Sequence, residues 1–255
     1  MLKLGVVSRN YPPAQGGMSR HAYGFVQEVA KRADVDLFVP PPRGQPHPRA
    51  RVHETLSNNV SDNIDIVRTS DVDVWLGLSA IYAPLAHHTS TPFVLYFHGN
   101  DFLHPVIDPD RHLEARLSRV PGLWRFSKAL TSPLIARIVK RRQAVINNAL
   151  PAVQLIFFNS TYTRDIASQL YDFGRIPLEV LYPGCDQQFF QARTARDDGV
   201  LRILTVSSLA SSARRKNIDH VLEALRLIKG ERLLMYTVIG SGDDRDRLQR
   251  KVQVP

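Results

Sequence analysis

Four short loops hold the residues whose types and spacing could do chemistry. Gly16 and Gly17 follow an apolar run, Leu2 to Ser8, and the pair Pro12-Pro13. Glycines at such a junction let a ligand approach the backbone, and the free N–H groups of a following helix suit a phosphate. A plain tight turn is the alternative. The three-glycine dinucleotide fingerprint is missing, which disfavours a nicotinamide or flavin enzyme. The second loop, His98-Gly99-Asn100-Asp101, follows the run Phe93 to Phe97. A histidine there can hydrogen-bond a sugar hydroxyl or stabilise developing charge, and Asp101 can orient it. A packed loop histidine with a capping aspartate would read the same way. Arg214-Arg215-Lys216-Asn217 offers cations suited to a diphosphate, or a solvated basic turn. Gly240-Ser241-Gly242-Asp243 could approach a phosphate or ribose, or simply turn the chain.

The elements that must position these loops alternate between two periodicities. Leu2–Ser8, Asp34–Val39, 73–79, Phe93–Phe97, Val153–Phe158 and Leu178–Tyr182 read as strands. Between them, Ala22, Phe25, Val26, Val29 and Ala30 fall on one helical face, and residues 61–69 and 81–88 and Thr161–Leu170 also read as helices. Residues 43–60 read as a loop, and 122–149 as the longest helix, with a break expected at Pro133. A second series follows: strand Leu201–Val206, helix Ile218–Ile228, strand Leu233–Ile239 and helix Asp243–Val252. This alternation predicts an α/β fold with parallel sheets. All four loops then lie just beyond the carboxyl end of a strand, two in each series, where such sheets bind ligands. The expected organisation is a complete first domain over 1–186, a linker over 187–199 and the first βα units of a second domain over 200–255.

The chain has 255 residues, 44% of them hydrophobic and 22% charged, enough apolar material to exclude wholesale disorder. The only cysteine, Cys185, excludes an internal disulfide, fits a reducing compartment and is expected to pack in a core. Neither a signal peptide nor a run of about 20 apolar residues is visible, so a soluble, cytoplasmic protein is expected. The net charge of +9 favours an anionic partner. Nucleic acid is not expected, for want of zinc spacing, an RNA-binding signature or interleaved aromatic and basic residues. No metal site is expected, because the histidines lack paired ligand spacing. The 122–149 segment sets Trp124, Leu134, Ile138 and Val139 beside Arg125, Lys140, Arg141 and Arg142. Such a helix can lie on an anionic membrane surface, or it can be a core helix with a solvated basic face.

Taken together, the set resembles the family 4 glycosyltransferases, whose GT-B fold pairs two Rossmann-like domains. The resemblance runs from residue 1 to about 250. It rests on Pro12-Pro13 through Gly16-Gly17 with His21, on His98-Gly99-Asn100-Asp101, and on Phe158-Asn159-Ser160. It continues through Leu181-Tyr182-Pro183-Gly184-Cys185-Asp186 with Phe190, Arg215-Lys216-Asn217-Ile218-Asp219 and Val238-Ile239-Gly240-Ser241-Gly242. It implies metal-free, configuration-retaining transfer from a nucleotide-diphosphate sugar to a glycan or lipid-linked acceptor, with no cofactor. By that resemblance His98 and Asp101 are the catalytic candidates, and Gly16, Gly17, Arg214, Arg215, Lys216, Gly240 and Gly242 the donor-phosphate candidates. His21 and Ser160 fall on the acceptor side. Two departures stand out. Ser208 occupies the place where the family carries an arginine, and the family's paired-glutamate motif lies later than this chain reaches. Glu223 and Glu231 share that spacing, but on the first helix of the second series and the turn after it. A non-catalytic acceptor- or partner-binding module of the same descent is therefore the competing expectation.

Overall fold

The computed structural model describes residues 1–14, 16–41, 46–103, 127–185, 190, 198–210, 216–228 and 233–252. They divide into two units, Met1–Gly184 and Cys185–Pro255.

The first unit is built on β1 (Lys3–Val7), β2 (Asp34–Phe38), β3 (Arg51–His53), β4 (Val74–Gly77), β5 (Phe93–Phe97), β6 (Leu155–Phe158) and β7 (Leu178–Val180). All pair in parallel, in the order β3-β2-β1-β4-β5-β6-β7. The order reverses between β1 and β4, which opens a crevice at their carboxyl ends. Side chains alternate across the sheet. Trp75, Phe93, Leu95 and Phe97 form one core with the 3-10 helix Ala80–His88 and with Ile146 and Ala149. Leu4, Val6, Val35, Leu37 and Tyr96 form the other core, against Ala22 and Val26 of α1 (Gly17–Val29). Each fully buried large side chain contributes about 1.5–3 kcal/mol. The remaining helices are α2 (Ile64–Thr69), α3 (Asn100–Leu103), α4 (Ser127–Ala149) and α5 (Thr161–Ala167).

Two local expectations are corrected. The stretch read as a loop contains β3, one strand more than the six expected, whose three residues are too few to show a period. It is held at the edge by Asp36, which accepts two hydrogen bonds from Arg51 at 2.9 and 2.8 Å and approaches Nε2 of His53 at 2.7 Å. The Arg51 guanidinium holds the Asp36 carboxyl at about 2. The long helix also runs unbroken through Pro133, which lies exposed in its second turn. Trp124 and Arg125 lie outside the described residues.

The second unit pairs β8 (Val200–Val206) with β9 (Leu233–Ile239) in parallel, with α6 (Ile218–Leu227) and α7 (Arg245–Val252). Leu209, Ile218 and Leu248 form its small core, with Leu222 and Val238 packed against them. On the other face of the sheet Leu204, Val206, Leu233, Met235 and Ile239 stand exposed. Arg247 ties the helices together, forking onto Asp219 at 2.8 and 2.8 Å and onto Asp244 at 2.7 and 2.6 Å. Cys185 is exposed, which corrects its expected burial. It directly follows the exposed segment Leu181–Gly184, which leaves the sheet after β7.

Candidate active site at the carboxyl edge of the sheet

The alternation of β5 explains where His98 points. Tyr96 faces the α1 side of the sheet, and His98, two residues later, follows it. Their ring centroids are 4.7 Å apart. His21, in the second turn of α1, meets both rings, at 4.7 Å from Tyr96 and 4.9 Å edge-on from His98. Gly17 precedes His21 by four residues, about one helical turn. The start of α1 therefore lies close to the His98 imidazole.

That start is left open. Gly16 adopts φ 128°, a conformation that favours glycine, and as a cap residue it has no side chain to satisfy the first N–H groups. No acidic residue occupies the first turn, and a Cβ added at Gly16 or Gly17 would meet only open space. The amides and the helix dipole there can receive an anion. Nearby polar groups also lack protein partners: the Tyr11 hydroxyl, the Ser19 hydroxyl and Nδ1 of His21 are buried without a hydrogen bond.

The main chain of His98 is clamped on both sides. Its N–H donates to Asp101 Oδ1 at 3.0 Å, and its carbonyl accepts from Asn159 Nδ2 at 2.9 Å. The other Asp101 oxygen accepts from the N–H of Ala80 at 3.0 Å. Asp101 thus holds His98 through the backbone N–H. Burial pushes the Asp101 carboxyl up, against the downward pull of these N–H donors. Burial holds His98 down at about 4. Burial, then the neighbouring His98, holds His21 at about 4. Both imidazoles are therefore neutral near pH 7 and can donate or accept a hydrogen bond.

Ser160 caps α5, its hydroxyl accepting from the N–H of Thr163 at 3.1 Å. Asn159, whose role the sequence reading missed, accepts from the Thr163 hydroxyl at 2.5 Å while it holds His98. Tyr96 donates its hydroxyl to the carbonyl of Leu181 at 2.6 Å, which anchors the Leu181–Gly184 segment beside this cluster.

In the second unit the glycines have a structural cause. A Cβ on Gly240 would lie 1.9 Å from the carbonyl oxygen of Ser207, and one on Gly242 2.1 Å from the carbonyl carbon of Leu209. The loops after β8 and β9 interlock there, with the Leu209 N–H donating to Ser241 at 2.9 Å and the Asp244 N–H to Leu209 at 2.9 Å. Lys216 is exposed just before α6, behind a left-handed Asn217 at φ 55°. Ser208 is exposed and accepts from the N–H of Ala210 at 3.3 Å. Arg214, Arg215 and Glu231 lie outside the described residues. Among the described residues no group of three or more His, Cys, Asp or Glu is placed to hold a metal, and no helix is long and apolar enough to cross a membrane.

Residues 15–189 match the model of Glycosyltransferase Family 4. No curated protein sequence matches the chain. Among solved structures, Anabaena Alr3699/HepE in complex with UDP and glucose is similar at a TM-score of 0.61 and 15% identity, covering 99% of this chain and 66% of its own. The same protein with UDP-glucose gives 0.61 and 14%, covering 99% and 65%. The E. coli trehalose-6-phosphate structure bound with UDP-2-fluoro glucose gives 0.50 and 13%, covering 98% and 68%. This chain thus spans about two thirds of the length of Alr3699/HepE. With parallel, Rossmann-like sheets in both units, the chain has the GT-B fold and belongs to Glycosyltransferase Family 4.

Proposed function

We propose that the chain carries the acceptor half and part of the donor half of a glycosyltransferase. It would transfer a sugar from a nucleotide diphosphate to an acceptor hydroxyl, with retention and without a metal. The observation that supports this best is His98, its main chain held by Asp101 and Asn159 and its imidazole packed on Tyr96 and His21 beside the open start of α1. A neutral, fixed imidazole can hydrogen-bond a hydroxyl of the transferred sugar, and the amides after Gly16 can receive donor phosphate. Transfer breaks the bond from the sugar to the diphosphate and the O–H bond of the acceptor, forms the bond from the sugar to the acceptor oxygen, and passes the acceptor's proton to the departing diphosphate. Charge grows on the departing diphosphate, where Lys216, Arg214 and Arg215 would be the stabilising cations. Asp101 is assigned to positioning, Ser160 to capping, and Gly240 and Gly242 to shaping the donor-side loop. UDP-glucose is the first donor to test, since UDP or UDP-sugars occupy the similar structures. The acceptor is a glycan or a lipid-linked sugar, as in polysaccharide synthesis, met on the cytoplasmic side of a membrane by a peripheral protein.

Release of UDP from UDP-glucose, followed by chromatography with and without glycan acceptors, tests the reading. His98→Ala should lower release by about 100-fold or more. Release that His98→Ala leaves unchanged would refute the assignment. One observation favours a second reading, a binding module without catalysis: Ser208, where the family has an arginine, spends its hydroxyl on its own loop. Tight acceptor binding without release of UDP from the donor would support that reading.

A further inference from the structure

On the sheet face opposite His21, Tyr96 and His98 lies a cavity of about 570 Å³. It is walled by the 3-10 helix Ala80–His88, by α4 and by the turn leading into α2. Its volume falls within the roughly 300–1,000 Å³ of pockets that take one small ligand. The walls are apolar, chiefly Ile64, Ile81, Leu85, Ile138, Val145 and Ile146.

The polar lining has one sign. Arg141, Arg142 and His88 line the cavity, and no Asp or Glu does among its described lining residues. Asn59 and Ser61, also in the lining, are engaged locally: Asn59 donates to Asp62 at 2.9 Å and accepts from Ser61 at 3.0 Å. Asp62, the acidic residue of that turn, also accepts from Ser57 at 3.0 Å. Arg68 lies beside the cavity, 3.4 Å from His88 Nδ1. Apolar walls thus meet cationic donors, which matches an alkyl chain that ends in an anion.

We propose that this cavity binds a single-chain anionic lipid, with its alkyl chain among the isoleucines and its phosphate at Arg141. Separated from His98 by the sheet, it is a second ligand site and does not depend on the transferase reading.

Isothermal titration of the full chain with decyl phosphate, below its critical micelle concentration, tests this. Saturable one-to-one binding is expected, with decyl maltoside and inorganic phosphate each weaker by about tenfold or more, equivalent to 1.4 kcal/mol. Arg141→Glu and Val145→Asp should each weaken binding by about tenfold or more. Both sites are exposed at the surface, and unchanged thermal unfolding of each variant would show it folded. Lys140→Glu, one residue from Arg141 but outside the lining, should leave affinity within about twofold. Equal affinity for decyl maltoside would overturn the proposal, as would equal losses from Lys140→Glu and Arg141→Glu. Full binding by Val145→Asp would overturn it by placing the site elsewhere. Capture only by phosphatidylglycerol vesicles, without binding of monomeric decyl phosphate, would overturn it in favour of a general basic surface.

Discussion

The side-chain amide of Asn159 donates to the main-chain carbonyl of His98 at 2.9 Å, across the boundary between β6 and β5. With Asp101 on the His98 N–H at 3.0 Å, both polar backbone groups of that residue are held by side chains. The backbone that carries the imidazole is thereby fixed, and the ring itself packs on Tyr96 and His21.

The clamp predicts a ranking of substitutions. Asn159→Ala should cost about 1–2 kcal/mol, since one carbonyl loses its partner. Asp101→Ala should cost more, roughly 2–5 kcal/mol, because the N–H groups of His98 and Ala80 are both orphaned. Urea unfolding of the two variants checks the order, and a smaller loss for Asp101→Ala than for Asn159→Ala would break the account of the clamp.

The two histidines predict an acid-sensitive first unit. Each is held at about 4 when folded, below the ordinary value near 6.5. The unfolded chain therefore takes up protons first, and stability falls as pH drops from about 6.5 towards 4, with no contribution above that window. The pair should cost roughly 2 kcal/mol across it, allowing for partial exposure. His21→Phe keeps a ring against Phe25 and Tyr96 and removes one titrating group, so thermal unfolding should vary less between pH 6.5 and 4.5. An unchanged slope would show that the pair does not govern it.

Glycines at the two candidate phosphate loops should behave oppositely. Gly17→Ala meets open space at a helix start and should change stability by less than about 0.5 kcal/mol. Gly240→Ala and Gly242→Ala drive a methyl into the backbone of the β8 loop and should unfold or loosen the second unit by about 3 kcal/mol or more. Limited proteolysis within 198–252 reads the difference.

Arg247 predicts how the second unit holds its helices. Lysine cannot fork onto two carboxylates, so Arg247→Lys gives up the paired contacts to Asp219 and to Asp244, the latter only 5% exposed. The loss should be about 2–3 kcal/mol, measured by denaturant unfolding of that unit, and greater at low salt than at high.

Much of this was legible in the sequence, and the misses have physical causes. The β8 and β9 runs and the Ser160 cap announce themselves through local pattern. Strand β3 does not, because three residues carry no period and their hold on the sheet is the distant Asp36. Gly240 and Gly242 resemble a ligand loop in sequence, yet only the fold shows the Ser207–Ala210 backbone pressed against them. Asp101 reads as a residue that can orient His98, and the fold adds that it does so through the backbone N–H. The role of Asn159 needed a contact over 61 residues, which no local motif records.

Histidine-selective NMR of the chain titrated with UDP-glucose, and with GDP- and dTDP-glucose as comparators, tests the central assignment most directly. One of these donors should shift the His98 and His21 ring signals saturably and leave His53 and His87 in place. The free nucleotide should shift the two rings less than the sugar-bearing donor. If no donor moves His98 or His21 while the same donor binds elsewhere on the chain, the site at the carboxyl edge of β5 is not where the sugar sits.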